Sequence, residues 1–314
     1  MARERFSEQW VAWKLGVPLR VLRRLAFEPD DEEYHPFCIR RRGKKPRRID
    51  NPSEQLKFVQ RRIRARLLEN EPLPGWMHGC IRKRSPLTNA TVHTNQPNVG
   101  RVDVKNFFPS VTNRAVYAIY QRAGFGPKPA KLLTRLTTRV GHLPQGAPTS
   151  DRLANLHLAT VAGRLEAIFD ALDLKATAFV DDIAFSGIRT REAFRPVIET
   201  LRSIGLYVRN GKCENAGATK AHSVTGYITN GAAGPKVGRK QRSVIRAVVH
   251  RFIRARAEQR ESIEVELSVR GHLAHLRRTN SGEAARLTRQ LARNGIDLSG
   301  KPPRPAKSLV RDGL

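Results

Sequence analysis

The spacing of apolar residues in the first 70 positions predicts a mostly helical segment with one hairpin inside it. Over Ser7–Phe27 apolar residues recur at helical spacing and are interrupted at Gly16–Pro18, so we expect two short amphipathic helices. Over Phe37–Ile49 two strand-like ends flank a basic block, and Gly43 stands where a hairpin turn would fall. Glu54–Asn70 carries apolar residues along one face, which predicts a further helix.

Between residues 101 and 231 the pattern changes to short apolar strands separated by helices, which indicates a sheet covered by helices. The apolar segments predict strands at 99–104 and 224–229, a hairpin at 176–186, and helices at 113–123, 150–172 and 192–204. Acidic residues occupy the turn of that hairpin, and Gly205 follows the last of these helices as its C-cap.

The C-terminal quarter is predicted to be helical and strongly basic. An apolar stripe runs through Val244–Ile253, with arginines off the stripe. A last helix is predicted to begin near Asn280, with Glu283 as its capping-box partner, and to stop at Gly295. Residues 236–314 hold 19 Lys and Arg against 7 Asp and Glu, which is the charge of a surface that binds nucleic acid.

The composition of the whole chain points to a folded protein that binds a polyanion. Its 314 residues contain 58 Lys and Arg and 28 Asp and Glu, a formal net charge of +30. Phosphates neutralised by such a surface release counterions, so nucleic acid is the expected partner. Apolar residues make up 39% of the chain and include 12 Phe, which is enough to pack a core.

Membrane proteins and disulfide or zinc scaffolds are not expected. No apolar run is long enough to span a bilayer, and the N-terminus lacks the apolar stretch of a signal peptide. The three cysteines, Cys38, Cys80 and Cys213, lie far apart and form no CxxC pair. We therefore expect a cytoplasmic protein without a membrane partner.

Scarce acids lie at the ends of apolar strands. Asp103 ends one strand, and Asp181 and Asp182 lie between two apolar segments, where adjacent charges are costly to bury. Carboxylates on neighbouring strand ends suit two Mg²⁺ ions, which prefer oxygen ligands and stabilise an in-line phosphoryl transfer. The alternative is a turn with solvated aspartates.

Three stretches occur in an order that resembles the catalytic palm of reverse transcriptases: VDVKNFFPS at 102–110, LPQGAPTS at 143–150 and FVDD at 179–182. The stretches RIDNP at 48–52 and GLYVRNGK at 205–212 resemble the fingers motif and a later palm motif. NATVH at 89–93 and VTG at 224–226 match two signatures of the bacterial retron branch. Phe179 stands where the family usually has Tyr, a change that keeps the ring.

This resemblance implies an α+β class and a right-hand polymerase fold. The fingers, with N-terminal helices, would occupy residues 1–98. The palm would occupy 99–235, as an antiparallel sheet with helices on one face and a fingers insertion at about 114–145. A basic helical thumb and a tail would occupy 236–314.

The resemblance also implies roles for residues near the reaction. The metal ligands would be Asp103, Asp181, Asp182 and the carbonyl of Val104, with Lys212 protonating the departing pyrophosphate. The nucleotide would be held by Arg47, Arg48, Phe108, Gln145 and Gly146. In this scheme Phe108 is the steric gate that selects deoxynucleotides, and Phe107 belongs to the core. A core role for Phe108 and a surface role for Lys212 are the alternatives.

The resemblance also implies that a second group of residues binds RNA: Asn89, His93, Val224, Thr225, Gly226, Arg246, Arg251 and Arg254. For Asn89 and His93 a buried hydrogen-bonded pair is the alternative to an RNA contact. The arginines lie on the predicted thumb helix, where an A-like duplex is read by its shape and its phosphates.

The activity implied is that of an RNA-directed DNA polymerase using dNTPs and two Mg²⁺ ions. It would bind a structured noncoding RNA, prime from an RNA 2′-hydroxyl, and make single-stranded DNA joined to that RNA. A separately encoded effector and a role in antiphage defence belong to the same expectation. The alternatives are another bacterial reverse transcriptase, such as an intron-encoded one, and an RNA-binding scaffold with a vestigial polymerase site.

Overall fold

The computed structural model describes residues 6–27, 33–41, 43–209, 211, 213–260 and 262–302. The N-terminal part contains α1 (Glu8–Leu15), α2 (Leu19–Phe27), the hairpin β1 (Tyr34–Arg41) and β2 (Lys44–Pro52), and α3 (Glu54–Ile63), which continues as the π-helical turn Arg64–Leu68. These elements confirm the predicted helix pair, hairpin and helix. Gly16, with a left-handed φ of 62°, ends α1.

The central sheet positions the acidic residues. Among the described residues its strands are β3 (Val99–Asp103), β4 (Lys175–Phe179), β5 (Asp182–Ser186) and β6 (Glu214–Ala216), in the order β4-β5-β3-β6. Each neighbouring pair is antiparallel, so the chain combines helices with small antiparallel sheets and has the predicted α+β class. The predicted strand and hairpin are both confirmed, and β3 lies between β5 and β6.

Helices in the same region run from α4 to α10: α4 (Pro86–Val92), α5 (Phe107–Ser110), α6 (Asn113–Arg122), α7 (Pro127–Thr137), α8 (Ser150–Ala159), α9 (Ala162–Ala171) and α10 (Thr190–Arg202). The prediction of one helix over 150–172 is wrong, because the chain breaks between α8 and α9. At the break the Thr160 hydroxyl donates to the carbonyl of His157 at 2.8 Å, and the Val161 amide bonds to Leu158 only three residues back.

The C-terminal part begins with a small sheet, β7 (Ser223–Val224), β8 (Tyr227–Ile228) and β9 (Lys236–Val237), and continues with α11 (Arg239–Ala257), α12 (Ile263–Thr279) and α13 (Ser281–Arg293). The predicted strand 224–229 is wrong, because Thr225 and Gly226 both have positive φ and form a tight hairpin turn. The predicted capping box is also wrong. Asn280 Oδ1 accepts a bond from the Val237 amide, and Glu283 binds arginines instead.

Two hydrophobic clusters hold these elements together. The larger contains the apolar faces of α1–α3, the central strands and α6–α10. The smaller joins Ala90 on α4 and Val224 and Tyr227 on the β7–β8 hairpin to the C-terminal helices. Helix α4 therefore lies between the central sheet and the C-terminal helices. In the ranges that the structure describes, no helix combines the length and apolarity needed to cross a membrane.

Candidate active site

Three aspartates meet at one end of the central sheet. The β3–β5 register places Asp103 directly opposite Asp182, on two strands at the centre of the sheet. The amide of Val104 donates to the carbonyl of Asp181 at 2.7 Å, which fixes the β4–β5 turn against the end of β3. The prediction that these acids lie on neighbouring strand ends is confirmed.

The turn that carries Asp181 is tightly constrained. Phe179 pairs with Asp182, so Val180 and Asp181 form a two-residue turn, and Val180 has a φ of 60° that is rare for a β-branched residue. The amides of His78 and Gly79 both donate to the carbonyl of Ala178 behind this turn. A Cβ at Gly79 would lie 2.3 Å from the Val180 amide nitrogen, so only glycine fits there.

Arginines neutralise two of the three acids. Arg101 donates through Nε to Asp182 Oδ1 at 3.2 Å and through Nη2 to Oδ2 at 2.8 Å. The Nε atom of Arg209 lies 3.3 Å from Asp103 Oδ1. Burial raises the pKa of Asp181, and the charges of Asp103 and Asp182 raise it further. Burial also raises the pKa of Asp182, while the Arg101 guanidinium opposes that rise.

The acids fit a divalent cation in chemistry but not as a three-carboxylate cage. Asp103 Oδ1 is buried and accepts no hydrogen bond from any described residue. Carboxylate oxygens are the ligands that Mg²⁺ prefers. Yet no group of three or more His, Cys, Asp or Glu side chains within the described ranges is gathered as metal ligands would be. The expected set Asp103, Asp181 and Asp182 is not assembled, because both oxygens of Asp182 are turned to Arg101.

Three of the five residues predicted to hold the nucleotide, Phe108, Gln145 and Gly146, lie on α5 and on the loop before α8. Phe107 is buried in the main core, while the neighbouring Phe108 is half-buried. The carbonyl of Gln145 accepts a 2.8 Å bond from the Asp50 amide on β2. Gly146 has a φ of 128°, and a Cβ there would lie 2.7 Å from a methyl carbon of Ile49. The Gln145–Gly146 loop is therefore held against the N-terminal hairpin.

Arg47 and Arg48 do not form a single clamp. They are neighbours on β2, so their side chains leave opposite faces of the hairpin. Arg48 is exposed, and its Nε lies 3.3 Å from Asp50 Oδ1. Arg47 has a buried Nε that finds no hydrogen-bond partner in the described part of the chain. Lys212, the predicted proton donor, lies outside the described residues.

Asn89 and His93 are buried, so the predicted direct RNA contact is wrong for this structure. His93 is fully buried, and its ring nitrogens contact the Ser186 hydroxyl at 2.7 Å and the Thr177 hydroxyl at 2.8 Å. Burial lowers the pKa of His93 to about 3, and His78 and Lys175 lower it further, so the ring is neutral. Both residues are buried, but the alternative of a hydrogen-bonded pair is wrong, because His93 bonds to β4 and β5 and Asn89 Oδ1 finds no partner among the described residues.

The second signature, VTG, forms the turn between β7 and β8. Val224 is buried, Gly226 is exposed, and Thr225 is half-exposed with its hydroxyl bonded to the carbonyl of Pro86 on α4. Val224 is therefore a core residue. Of the three predicted RNA contacts in this signature, Thr225 and Gly226 are the ones accessible to RNA. Next to the turn, the Tyr227 hydroxyl lies 3.2 Å from Nδ1 of His275 on α12.

The three arginines predicted on α11 divide into two kinds. Arg251 and Arg254 are exposed, as an RNA-binding surface requires. Arg246 is half-buried, and its Nη1 donates to Glu283 Oε1 on α13 at 3.1 Å. This contact joins two helices of the C-terminal unit, and RNA binding by Arg246 stays a prediction.

Sequence reasoning missed three residues at this site. Arg101 and Arg209 carry the charges that neutralise the acids, and Gly79 provides the space behind the catalytic turn. The position of Arg101 two residues before Asp103, on the same face of a strand, was the available signal for its contact. Nothing local to Gly79 indicates that a residue 101 positions further on would pack against it.

Comparisons with known proteins identify the family of the chain. No protein-family model matches the chain. The Retron Mx65 reverse transcriptase of Myxococcus xanthus is 30% identical over 308 residues, which covers 90% of this chain and 71% of that protein. The Retron Mx162 reverse transcriptase of the same organism is 28% identical over 94% of this chain and 68% of its own length. The Retron Ec86 reverse transcriptase of Escherichia coli is 26% identical over 91% and 88%. The chain therefore belongs to the retron reverse transcriptases and is an RNA-directed DNA polymerase.

Proposed function

We propose that the end of the β3–β5 ladder is a two-metal phosphoryl-transfer centre. The observation that carries the proposal is the register that puts Asp103 opposite Asp182, with Asp181 in the adjoining turn. Asp103 and Asp181 are the principal ligands, and Asp182 lies beside them. The carbonyl of Val104 adds one oxygen ligand. Two bound Mg²⁺ ions would stabilise the attacking and leaving oxygens of the transfer.

The chain's own residues bind and orient the reactants. A primer hydroxyl oxygen forms a bond to the α-phosphorus of a dNTP, the bond to the bridging oxygen breaks, and pyrophosphate leaves. The hydroxyl proton is lost to solvent, and Lys212 supplies a proton to the pyrophosphate. The ring of Phe108 lies beneath the sugar and leaves no room for a 2′-hydroxyl, while Gln145 and Gly146 hold the nucleotide against β2. The contact between the Gln145 carbonyl and the Asp50 amide supports this placement.

The same proposal divides the chain into fingers, palm and thumb. Residues 1–98 form the fingers with N-terminal helices, 99–235 the palm with its insertion at about 114–145, and 236–314 the thumb. The separate hydrophobic cluster of the C-terminal helices supports a distinct thumb. Exposed Arg251 and Arg254 on α11 contact the phosphates of the template–primer duplex, which is recognised through its backbone.

The biological reaction is the synthesis of DNA attached to RNA. The enzyme binds a structured noncoding RNA, primes from a 2′-hydroxyl of that RNA, and copies part of it into single-stranded DNA that stays joined. The net charge of +30 supports a large RNA partner. We place this product in an antiphage system with a separately encoded effector, and we assign the protein to the cytoplasm. Family membership supports these steps.

The nucleic acid that co-purifies with the protein tests this function. The chain is expressed with its native flanking DNA, and the extracted nucleic acid is separated with and without RNase and DNase. We expect a discrete DNA joined to RNA from the parent and from Asp170→Asn, an exposed aspartate on α9. The double variant Asp181→Asn/Asp182→Asn should yield RNA alone. RNA without DNA from all three proteins would favour the scaffold alternative and contradict the proposal.

A further inference from the structure

Both oxygens of the Asp182 carboxylate accept hydrogen bonds from an arginine of the same sheet. Arg101 makes two parallel bonds to it, Nε to Oδ1 at 3.2 Å and Nη2 to Oδ2 at 2.8 Å. This fork geometry is the strongest form of an arginine–carboxylate pair. The third nitrogen, Nη1, donates to Glu214 Oε2 on β6 at 3.3 Å. Both members of the pair are largely shielded, with side-chain exposures of 25% for Arg101 and 16% for Asp182.

The strand register creates this pair. Arg101 and Asp103 are two residues apart on β3, so their side chains share one face of the sheet. Asp182 lies directly opposite Asp103 and therefore diagonal to Arg101. Glu214 lies directly opposite Arg101 on the other neighbouring strand. Arg101 is thus held between two carboxylates, one from each flanking strand, on the face of the sheet that carries the acids.

The carboxylates of Asp103 and Asp181 lack a two-bond arginine partner of this kind. Asp103 Oδ1 is buried without a hydrogen bond from a described residue, and its nearest cation is the single Nε of Arg209 at 3.3 Å. Arg209 is also close enough to Asp181 for its charge to act on that carboxylate, although no described residue forms an ion pair with it. A cation that approaches this end of the sheet meets one oxygen on Asp103 that is paired with a single arginine nitrogen, and on Asp181 a carboxylate that forms no ion pair with a described residue. On Asp182 it meets a carboxylate whose two oxygens already accept bonds from a guanidinium, and the charge of that guanidinium repels a second cation.

We infer that Arg101 is a positioning residue that serves as the built-in counter-cation of Asp182 and leaves Asp103 and Asp181 as the metal-binding carboxylates. This inference rests on the proposed metal centre. Asp182 then shapes the turn and balances charge without ligating the metal. Arg101 also lets three acids pack together at a sheet end before any cation is bound, because its fixed charge offsets part of their repulsion.

Metal affinity distinguishes this arrangement from a three-aspartate cage. The full chain is titrated with Mn²⁺, and free Mn²⁺ is counted by electron paramagnetic resonance. We expect Asp103→Asn and Asp181→Asn each to weaken binding by about tenfold or more, and Asp182→Asn to stay within about twofold of the parent. Equal weakening by Asp182→Asn and Asp181→Asn would overturn the inference alone. Unchanged binding in Asp103→Asn and Asp181→Asn would overturn the metal centre itself, and the inference with it.

A double-mutant cycle without metal tests the role of Arg101 directly. Thermal unfolding is followed in EDTA for Arg101→Gln, Asp182→Asn and the double variant, with the exposed Arg191→Gln as the matched control. Arg101→Gln should lower the Tm, because it leaves a buried carboxylate unpaired. Adding Asp182→Asn to Arg101→Gln should recover most of the loss in Tm. The single variant Arg101→Lys, which keeps the charge, should lose less Tm than Arg101→Gln. Additive losses in the double variant would contradict the pairing.

Discussion

The hydroxyl of Thr225 donates a hydrogen bond to the main-chain carbonyl of Pro86, at 2.7 Å. Thr225 belongs to the turn between β7 and β8, and Pro86 is the first residue of α4, the helix that leads to His93. His93 in turn contacts the catalytic hairpin through Thr177 and Ser186. Two sequence signatures more than 130 residues apart are therefore one structural unit that joins the central sheet to the C-terminal helices.

Replacing Thr225 by Val should weaken this unit. Val keeps the branched shape of Thr and removes the hydroxyl, so the carbonyl of Pro86 loses its partner. We expect the free energy of unfolding in urea to fall by about 1 kcal/mol. The matched control is Thr288→Val at an exposed position of α13, which should leave it within about 0.5 kcal/mol of the parent. Equal effects of the two variants would contradict the structural role of the bond.

His93 should make the protein less stable in acid. Burial lowers its folded-state pKa to about 3, whereas an unfolded histidine titrates near about 6.5. Between these values only the unfolded chain binds the proton, so the free energy of unfolding falls as the pH falls through this window. From pH 7 to pH 5 the loss due to His93 is about 2 kcal/mol.

Urea unfolding of His93→Gln at pH 7 and pH 5 measures this contribution. Glutamine retains a donor and an acceptor for the two hydroxyls, and it does not titrate. The difference between the two pH values should shrink by about 2 kcal/mol relative to the parent. His250→Gln, on an exposed part of α11, is the control and should keep the parental difference. A parental difference in His93→Gln would show that the ring is protonated in the folded protein.

Gly79→Ala should disturb the catalytic turn. The added carbon would lie 2.3 Å from the Val180 amide nitrogen, so the turn that carries Asp181 must move. We expect a loss of about 1–3 kcal/mol in the free energy of unfolding. Nucleotide incorporation should fall more than tenfold, which corresponds to about 1.4 kcal/mol in the barrier. Gly75→Ala, where a Cβ meets nothing within 4 Å, is the control and should behave as the parent. Parental activity in Gly79→Ala would rule out this support of the turn.

Phe108→Ala should let ribonucleotides enter the site. Removing the ring opens space beneath the sugar, and a steric contact of this kind is worth about 10–200-fold in discrimination. The ratio of kcat/KM for a dNTP to that for the matching rNTP should fall by at least about tenfold. Phe107→Leu, in the core, is the control: it should lower stability and keep the ratio. An unchanged ratio in Phe108→Ala would assign this ring to packing.

Most elements could be predicted because their signals are local. The apolar segments on either side of Asp181 and Asp182 predicted the hairpin that carries these acids, and its strands are those observed. The break between α8 and α9 was missed because no proline or glycine marks it. It depends on the hydroxyl of Thr160, whose choice of partner is not visible in an apolar run. The turn at Thr225 was missed for a similar reason, since only one of its two residues is glycine.

The positions of the acidic residues in the site could be predicted from the sequence, but the side chains that pair with them could not. The resemblance and the strand pattern together located Asp103 and the catalytic turn. The pairing of Arg101 with Asp182 depends on the register of strands that are about 80 residues apart. The burial of His93 depends on tertiary packing against β4 and β5, which a short sequence signature does not encode.

Single-nucleotide incorporation on a defined RNA template with a DNA primer tests whether Asp103 and Asp181 carry the chemistry. Asp103→Asn and Asp181→Asn should each lower the incorporation rate by about a thousandfold or more, because each removes a proposed metal ligand. Affinity for the template–primer should stay near that of the parent, because the exposed arginines proposed to bind phosphate are intact. The exposed Asp170→Asn should keep the parental rate. Incorporation by Asp103→Asn or Asp181→Asn within about tenfold of the parent would contradict a catalytic role for these two aspartates.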